Sequence, residues 1–550
     1  MPKHSAYLVI CCLIAWSQDL VPGPQAVTFF SDVDGSDQPY GLYLPKKFNS
    51  GKRYPLVLML HGVGSNHRLA LRQVFGRGNR LGELDLEAAR RLPALPDVDY
   101  VVAAPFARGS MGYGGIAERD VYDVLADVKR RFPIDEDRVY LTGLAMGGGG
   151  VLSIGLTRPD VWAAIAAVSP VLPPGFEEFA INALNVPVKI FQGAIDPVVS
   201  SQTIRDWHER LAAAGASVEY VELPGVRHNA WEFAYKDAAI FEWFSQYRRQ
   251  QYPERVHFAT REYRNNTAYW ARFDVLNPGT LATIDARFQE KNKLAITTSA
   301  LDAFTLTLKG HPSFLPTQPL TLVVDGKTLR VRARDTVSLS NSGDSWAVKT
   351  MMPKPGQKRH GLEGPLRDAL VSRQVYVYGT GGASSPEEVR RRHQQAAQAA
   401  EWSTTRSRLL LSFRVLADTD AKDSDLASAN VVLFGTKETN SLVARYAARL
   451  PFALNPGAAD YGFVYVYPVD GRYIVLSSGL PWWTRIDQVR RSGLPLNGAV
   501  IGALMNFGDY VVFKGGLDNV IAEGRFDRDW KLSSAARTAL AATGAFEIRP

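Results

Sequence analysis

The chain has 550 residues, 46% hydrophobic and 21% charged, with a formal net charge of +8. That length exceeds what one core supports and the composition excludes a disordered or fibrous chain, so roughly two to four globular regions are expected. The positive charge is spread along the chain, and no RNA-binding motif, zinc finger or basic helix occurs, which argues against a nucleic-acid partner.

The first element in chain order is a leader. In "MPKHSAYLVICCLIAW", the basic Lys3 and His4 precede an apolar run from Ala6 to Trp16 that is short for a bilayer span. A polar stretch and the small Ala26 follow. The order predicts a secretory signal peptide over residues 1–26, cut between Ser17 and Ala26, and hence a secreted or periplasmic bacterial protein. Both cysteines, Cys11 and Cys12, lie in the apolar run. The mature chain is therefore expected to have neither disulfides nor thiolate chemistry. No later apolar run reaches transmembrane length, so no membrane span is expected.

From about residue 28 to 250, strand-like and helix-like segments alternate. "YGLYLP", "YPLVLMLHG", "DYVVAAP", "RVYLTG", "AAIAAVSP", "VPVKIFQG" and "SVEYVELPG" read as strands. "ERDVYDVLADVKRRF" reads as a helix, with Val121, Val124, Leu125 and Val128 on one face. Its acids, Glu118 and Asp120, stand at the start and its bases at the end, as the helix dipole favours. Apolar strands separated by helices predict a doubly covered, mostly parallel sheet over residues 27–253.

After Pro253 the period changes to two. Asp325-Gly326 between alternating runs predicts a hairpin, and a small β-rich domain is expected over 254–355. "MPKPGQKRHGLEGP" reads as a linker or surface loop. In the last region, 356–550, "QVYVYGTGG" and "NVVLFGT" each lead into a helix, and "YGFVYVYPVDGRYIVLSSG" reads as a hairpin. A second, smaller α/β layer is expected there.

The stretch "YLTGLAMGGGG" has the layout of a nucleophile elbow, G-x-S-x-G, with Ala145 where the serine belongs. Gly143 and Gly147 supply the small flanking residues that a tight strand-to-helix turn requires. "LMLHGVGSN" follows a strand like an oxyanion loop, so the amides near Val63 and Gly64, with that of Met146, are candidate oxyanion donors. Asp196 in "FQGAIDPVVS" and His228 in "LPGVRHNAWEF" each follow a strand. Positions 145, 196 and 228 therefore occur in the order nucleophile, acid, histidine.

On these words, together with "YGGIAERDVYDVLADVKRRFPIDEDRVYLTGL", residues 28–250 resemble the α/β-hydrolase superfamily in its secreted esterase branch. They are similar to feruloyl-esterase-like and polyhydroxybutyrate-depolymerase-like enzymes, often grouped as prolyl-oligopeptidase-family hydrolases. The resemblance implies carboxylic-ester hydrolysis, less often peptide hydrolysis, through an acyl-enzyme. In it Asp196 orients His228, and His228 acts as the general base. It covers under half of the chain and implies no cofactor or metal. Its substrate would be an ester-bearing small molecule or polymer, possibly glycan-linked.

Ala145 departs from the pattern and removes the attacking oxygen. Three readings stay open at this stage: a serine hydrolase disabled to trap its substrate, a natural pseudoenzyme that binds an ester, glycan or peptide, and an extracellular binding or scaffold protein whose C-terminal part does the work. Ser153 and Ser110 lack the flanking glycines of an elbow and are expected as a helix-surface and a loop hydroxyl. The "GTGG" at 379–382 lacks the third glycine of a dinucleotide fingerprint and reads as a plain strand-to-helix turn. No His, Cys or Asp cluster has metal-ligand spacing.

Overall fold

The structure is a computed structural model that describes residues 20–80, 82–172, 175–343, 345–401, 411, 413–486 and 504–549. The apolar leader run, with Cys11 and Cys12, lies outside these residues.

The first region is an eight-stranded sheet. Its strands are β1 (Gly23–Ser31), β2 (Ser36–Leu44), β3 (Tyr54–Leu60), β4 (Val101–Pro105), β5 (Ile134–Leu144), β6 (Ala164–Val168), β7 (Val188–Gly193) and β8 (Val218–Leu223). They lie in the order β1-β2-β4-β3-β5-β6-β7-β8. β2 runs antiparallel to both of its neighbours. From β4 onward every pairing is parallel. Helices α1 (His67–Gln73), α2 (Asp85–Ala88), α3 (Ile116–Arg131), α4 (Met146–Thr157) and α5 (Ser201–Ala213) lie among the connections. The central strands β3, β4 and β6 are buried along their whole length, which is why they read as continuous apolar runs.

Two differences from the sequence reading arise here. Strand β1 begins at Gly23, ahead of residue 27, and Gly23 to Ala26 pair with Leu44 to Gly41. Helix α3 buries Asp120 and Glu118 rather than presenting them to solvent at its start. Arg108, 2% exposed, pairs with Asp120 and with Asp34 at 2.7 Å each. Glu118 receives Arg264 from the next region. The dipole argument therefore misses what holds these acids, because buried carboxylates are kept by paired cations.

The second region is a sandwich of two five-stranded sheets over residues 255–348. Phe258 and Ile284 of one sheet and Phe273, Phe304 and Leu306 of the other share one core. The hairpin at Asp325-Gly326 has both residues at positive φ, 47° and 82°, as a two-residue hairpin turn requires. The third region is a seven-stranded sheet running from Gln374 to Gly524. Its strands Gln374–Tyr378, Arg414–Ala417, Asn430–Phe434 and Arg472–Gly479 pair in parallel, and Tyr461–Val469 closes the expected hairpin.

The regions share apolar packing. Val33 and Ile116 of the first belong to the buried core cluster of the third, with Met111 packed on its edge. The expected linker or surface loop at 352–365 is exposed at Met352, Lys354 to Gly356 and Arg359 to Gly361, but it buries Lys358, 0% exposed, and Leu362 to Pro365, with Glu363 1% exposed. Both Glu363 oxygens accept main-chain N–H groups, from Tyr263 and Arg264 of the sandwich. Sequence composition alone marked this stretch as loop because Pro, Gly and charge usually go to solvent; here Lys358 and Glu363 meet partners inside.

Candidate active site

Ala145 sits between β5 and α4 with φ 52° and ψ −115°, a backbone state that costs on the order of 1–3 kcal/mol for a residue with a side chain. It persists because the turn is fixed from several directions. The Ala145 N–H donates to Val168 O at 2.9 Å, and the Ala145 carbonyl accepts from Gly149 and Val171 at 3.0 Å each. The glycines follow from close approach. A Cβ on Gly147 would lie 2.2 Å from Leu60 O, and one on Gly149 would lie 1.9 Å from Val171 O. Only a bare α-carbon lets the elbow helix touch these main chains.

The loop after β3 lies against the elbow: a Cβ on Gly62 would sit 3.5 Å from that of Ala145. His61 anchors this loop from below, buried, with Nε2–H donating to Phe106 O at 2.9 Å. The candidate oxyanion donors divide. Among the described residues, no protein acceptor takes the N–H of Val63 or of Met146. The Gly64 N–H instead donates to Ser110 Oγ at 2.8 Å, so Gly64 is spoken for and Ser110 is a brace of the loop. Ser153 donates back to Gly150 O at 3.1 Å within its own helix.

Asp196 and His228 leave the ends of β7 and β8. His228 Nδ1–H donates to Asp196 Oδ2 at 2.8 Å, and the Asp196 side chain is fully buried. The other carboxylate oxygen accepts the amides of Val198 at 2.8 Å and Val199 at 3.0 Å. Burial pushes the Asp196 carboxyl up, but the His228 bond and these amides outweigh it and hold the group below its ordinary value. Gln192, also buried, donates to Asp196 Oδ2 at 3.1 Å and to Val199 O at 3.0 Å. The sequence reading missed Gln192; its only signal was a polar residue at the end of a buried strand. Gly193 was missed too: a Cβ there would lie 1.9 Å from Arg227 O, so its bareness lets the histidine loop close onto the acid loop. Trp231 stands edge-on to the His228 ring at 5.6 Å. Ala145, Ala230 and Trp231 belong to one apolar cluster, which joins the elbow to the histidine loop.

The elbow, the acid and the histidine leave the carboxyl ends of β5, β7 and β8 in one sheet whose second strand alone is reversed against its neighbours. Residues 23–245 have the α/β-hydrolase fold.

No family model matches this chain. A curated relative, feruloyl esterase D of Neurospora crassa, is 26% identical over 143 residues, which is 26% of this chain and 48% of that protein. The match thus spans about half the length of this curated relative. Among solved structures, a thermostable esterase is 25% identical, covering 41% of this chain and 63% of its own with a TM-score of 0.34. A ferulic acid esterase from the fungus Anaeromyces mucronatus is 18% identical, covering 40% of this chain and 91% of its own with a TM-score of 0.31.

A Cβ on Gly379 would lie 2.0 Å from Thr439 O, so the "GTGG" turn is filled by the neighbouring loop. Its Thr380 donates its N–H and hydroxyl to Asp418 at 2.9 and 2.8 Å. Among the described residues there is no group of three or more His, Cys, Asp or Glu that could hold a metal, and no helix is long and apolar enough to cross a membrane.

A prediction arises at the acid. In a chain carrying Ala145→Ser, Asp196→Asn keeps the hydrogen-bonding shape but favours the wrong His228 tautomer, and kcat falls by about 10⁴-fold. Steady-state kinetics on a nitrophenyl ester check this; a loss confined to KM would mean that Asp196 does not orient the base. The same residue links to stability. Its carboxyl is depressed in the fold, so its stabilising share is present above the ordinary carboxylate range and is lost as pH falls toward its folded value. Acid melts of parent and Asp196→Asn should therefore converge at low pH.

Proposed function

We propose that this protein binds carboxylic esters at the carboxyl edge of the eight-stranded sheet. The site keeps a hydrolase's base, acid and oxyanion amides and lacks its nucleophile. The observation that carries this reading is the intact His228–Asp196 pair beside an elbow that still holds position 145 at φ 52°. In this reading the Val63 and Met146 amides hold the ester carbonyl oxygen. In the same reading His228 would serve as base to a serine at position 145, and with Ala145 there no acyl-enzyme forms. As written, the chain has at most the residual rate of about 10³–10⁴ over water that an oxyanion hole and binding leave when a triad member is removed.

The surrounding surface supports an apolar or aromatic acyl group. Val63, Val171, Ile195 and Val198 flank the strand ends and are 65%, 44%, 56% and 63% exposed. Exposed aliphatics at the strand ends offer an apolar surface to a ligand. A ferulate-type ester, on a glycan or as a small molecule, fits this rim and the names of the similar esterases. We further place the protein outside the cytoplasm, with the leader cut at or before Gly23, since cleavage after Ala26 would remove paired strand residues.

The test has two arms. Equilibrium titration of the chain with a feruloyl ester should show saturable binding that His228→Ala and Val63→Asp weaken. A fluorophosphonate probe should leave the chain unlabelled and label its Ala145→Ser form at residue 145. Stoichiometric labelling of another serine in the unaltered chain would overturn the assignment of the elbow.

A further inference from the structure

The segment 352–365, with the composition of a linker, places a lysine where a linker has no use for one. Lys358 Nζ is in contact with Asp509 Oδ2, and both side chains are 0% exposed. Each is fixed by its main chain. The Lys358 N–H donates to Arg528 O at 2.9 Å, and Asp509 donates to Gly524 O at 2.7 Å and accepts from Val466 at 2.8 Å. The walls are aromatic. Trp530 presents its ring face to Nζ at 4.7 Å, and the Phe526 ring packs 6.0 Å from Trp530 and 5.1 Å from Tyr510. Gly364 seals the other side, where a Cβ would lie 2.0 Å from Asp509 Oδ1.

The pair is poorly satisfied as ions. An ammonium has three N–H bonds to place, and among the described residues Lys358 donates to Asp509 alone. Asp509 Oδ2 also accepts the Phe526 N–H at 2.8 Å, whereas Oδ1 has no hydrogen-bond partner. Ions taken from water into such a site cost more than one contact returns unless the remaining hydrogen bonds are made.

We infer that Lys358 and Asp509 condense into an intramolecular amide that staples segment 352–365 to the edge of strand Tyr510–Lys514. The step balances without any co-reactant. The amine passes a proton to the carboxylate, giving a neutral amine and a carboxylic acid. That proton lands on Oδ2, the oxygen Nζ touches, so the Nζ lone pair attacks Cγ while the carbonyl electron pair moves onto Oδ1. The proton then lost from nitrogen goes to the Oδ2 hydroxyl, the Cγ–Oδ2 bond breaks, the Oδ1 carbonyl re-forms and one water leaves. Burial pushes the Lys358 amine down and the Asp509 carboxyl up, in the direction the first proton transfer needs. Arg525 pushes the amine further down and holds part of the carboxyl shift back, while Glu363 pulls the amine up.

The product suits this chain. The sequence has two cysteines, both in the first twelve residues, so no disulfide can tie the later regions. An amide between positions 358 and 509 closes a long loop and restricts the unfolded chain as a disulfide would.

The experiment is peptide mapping of the purified full chain, denatured and digested with trypsin. The expected result is one branched peptide joining Lys358 to Asp509, about 18 Da (one water) lighter than its two arms together, with no cleavage after Lys358. Separate linear peptides with a free Lys358 amine and an unmodified Asp509 would overturn the inference and leave a buried ion pair. Asp509→Ala and Lys358→Met chains should lack the branch and melt at lower temperature. A branch on Lys358 that survived in Asp509→Ala would equally overturn it, by placing the acceptor elsewhere. The mapping of the unaltered chain decides the matter even where a variant fails to fold.

Discussion

Ala145→Ser should raise kcat on a small nitrophenyl ester by up to about 10⁶-fold, the scale of loss when a triad serine is removed from other serine hydrolases. The expectation rests on how little else has to change. Position 145 already stands in the strained conformation that exposes a nucleophile, the Val63 and Met146 amides have no protein acceptor, and His228 is held by Asp196 at 2.8 Å. A hydroxyl is small and adds no atom that must displace main chain. Adding His228→Ala should return the rate to that of the unaltered chain. Equal rates for the serine form with and without His228 would remove the histidine from the mechanism. No gain at all from a serine form of unchanged melting temperature would mean that the site is closed to esters.

The second large effect concerns where the chain can be cut. Composition and periodicity place a boundary at Pro253, which leads one to expect that residues 27–252 with Ala145→Ser would hydrolyse a small ester on their own. The packing changes that expectation. Val33 and Ile116, both 0% exposed, are buried in the core of the third region. Exposing two such side chains costs on the order of 1.5–3 kcal/mol each. Glu118 would also lose Arg264, and Gly115 would lose Met505, whose Cε lies 3.2 Å from where a Cβ at 115 would stand. Against a total stability of roughly 5–15 kcal/mol these losses are large. The truncated serine form should therefore melt well below the full chain, bind a hydrophobic dye, and turn over ester only in proportion to its folded fraction. Calorimetry and dye fluorescence on residues 20–252 check this. A truncated chain with the melting temperature of the full protein would show that the shared packing contributes nothing.

The sequence by itself marked where positions 145, 196 and 228 leave their strands. The strand before position 145 was readable because its buried second half is an apolar run, those before 196 and 228 because branched and aromatic residues recur between Lys189, Glu219 and Glu222 at partly buried positions, and the elbow was readable because a Cβ on its glycines would fall as close as 1.9 Å to main chain. The hairpin at Asp325-Gly326 was readable because two consecutive positive φ values admit few residue types. Tertiary structure alone decided the rest. Gln192 and Gly193 look like ordinary strand-end residues until the histidine loop arrives from β8. Gly64 looks like an oxyanion donor until Ser110, from the loop after β4, takes its N–H. Glu118 and Asp120 read as dipole-favoured acids and Lys358 and Glu363 as residues of a loop because a sequence carries no mark of which distant cation, carboxylate or main-chain amide will meet them. Burial of a charge is a property of the pair, and the partners lie 146 residues away for Glu118 and 151 for Lys358.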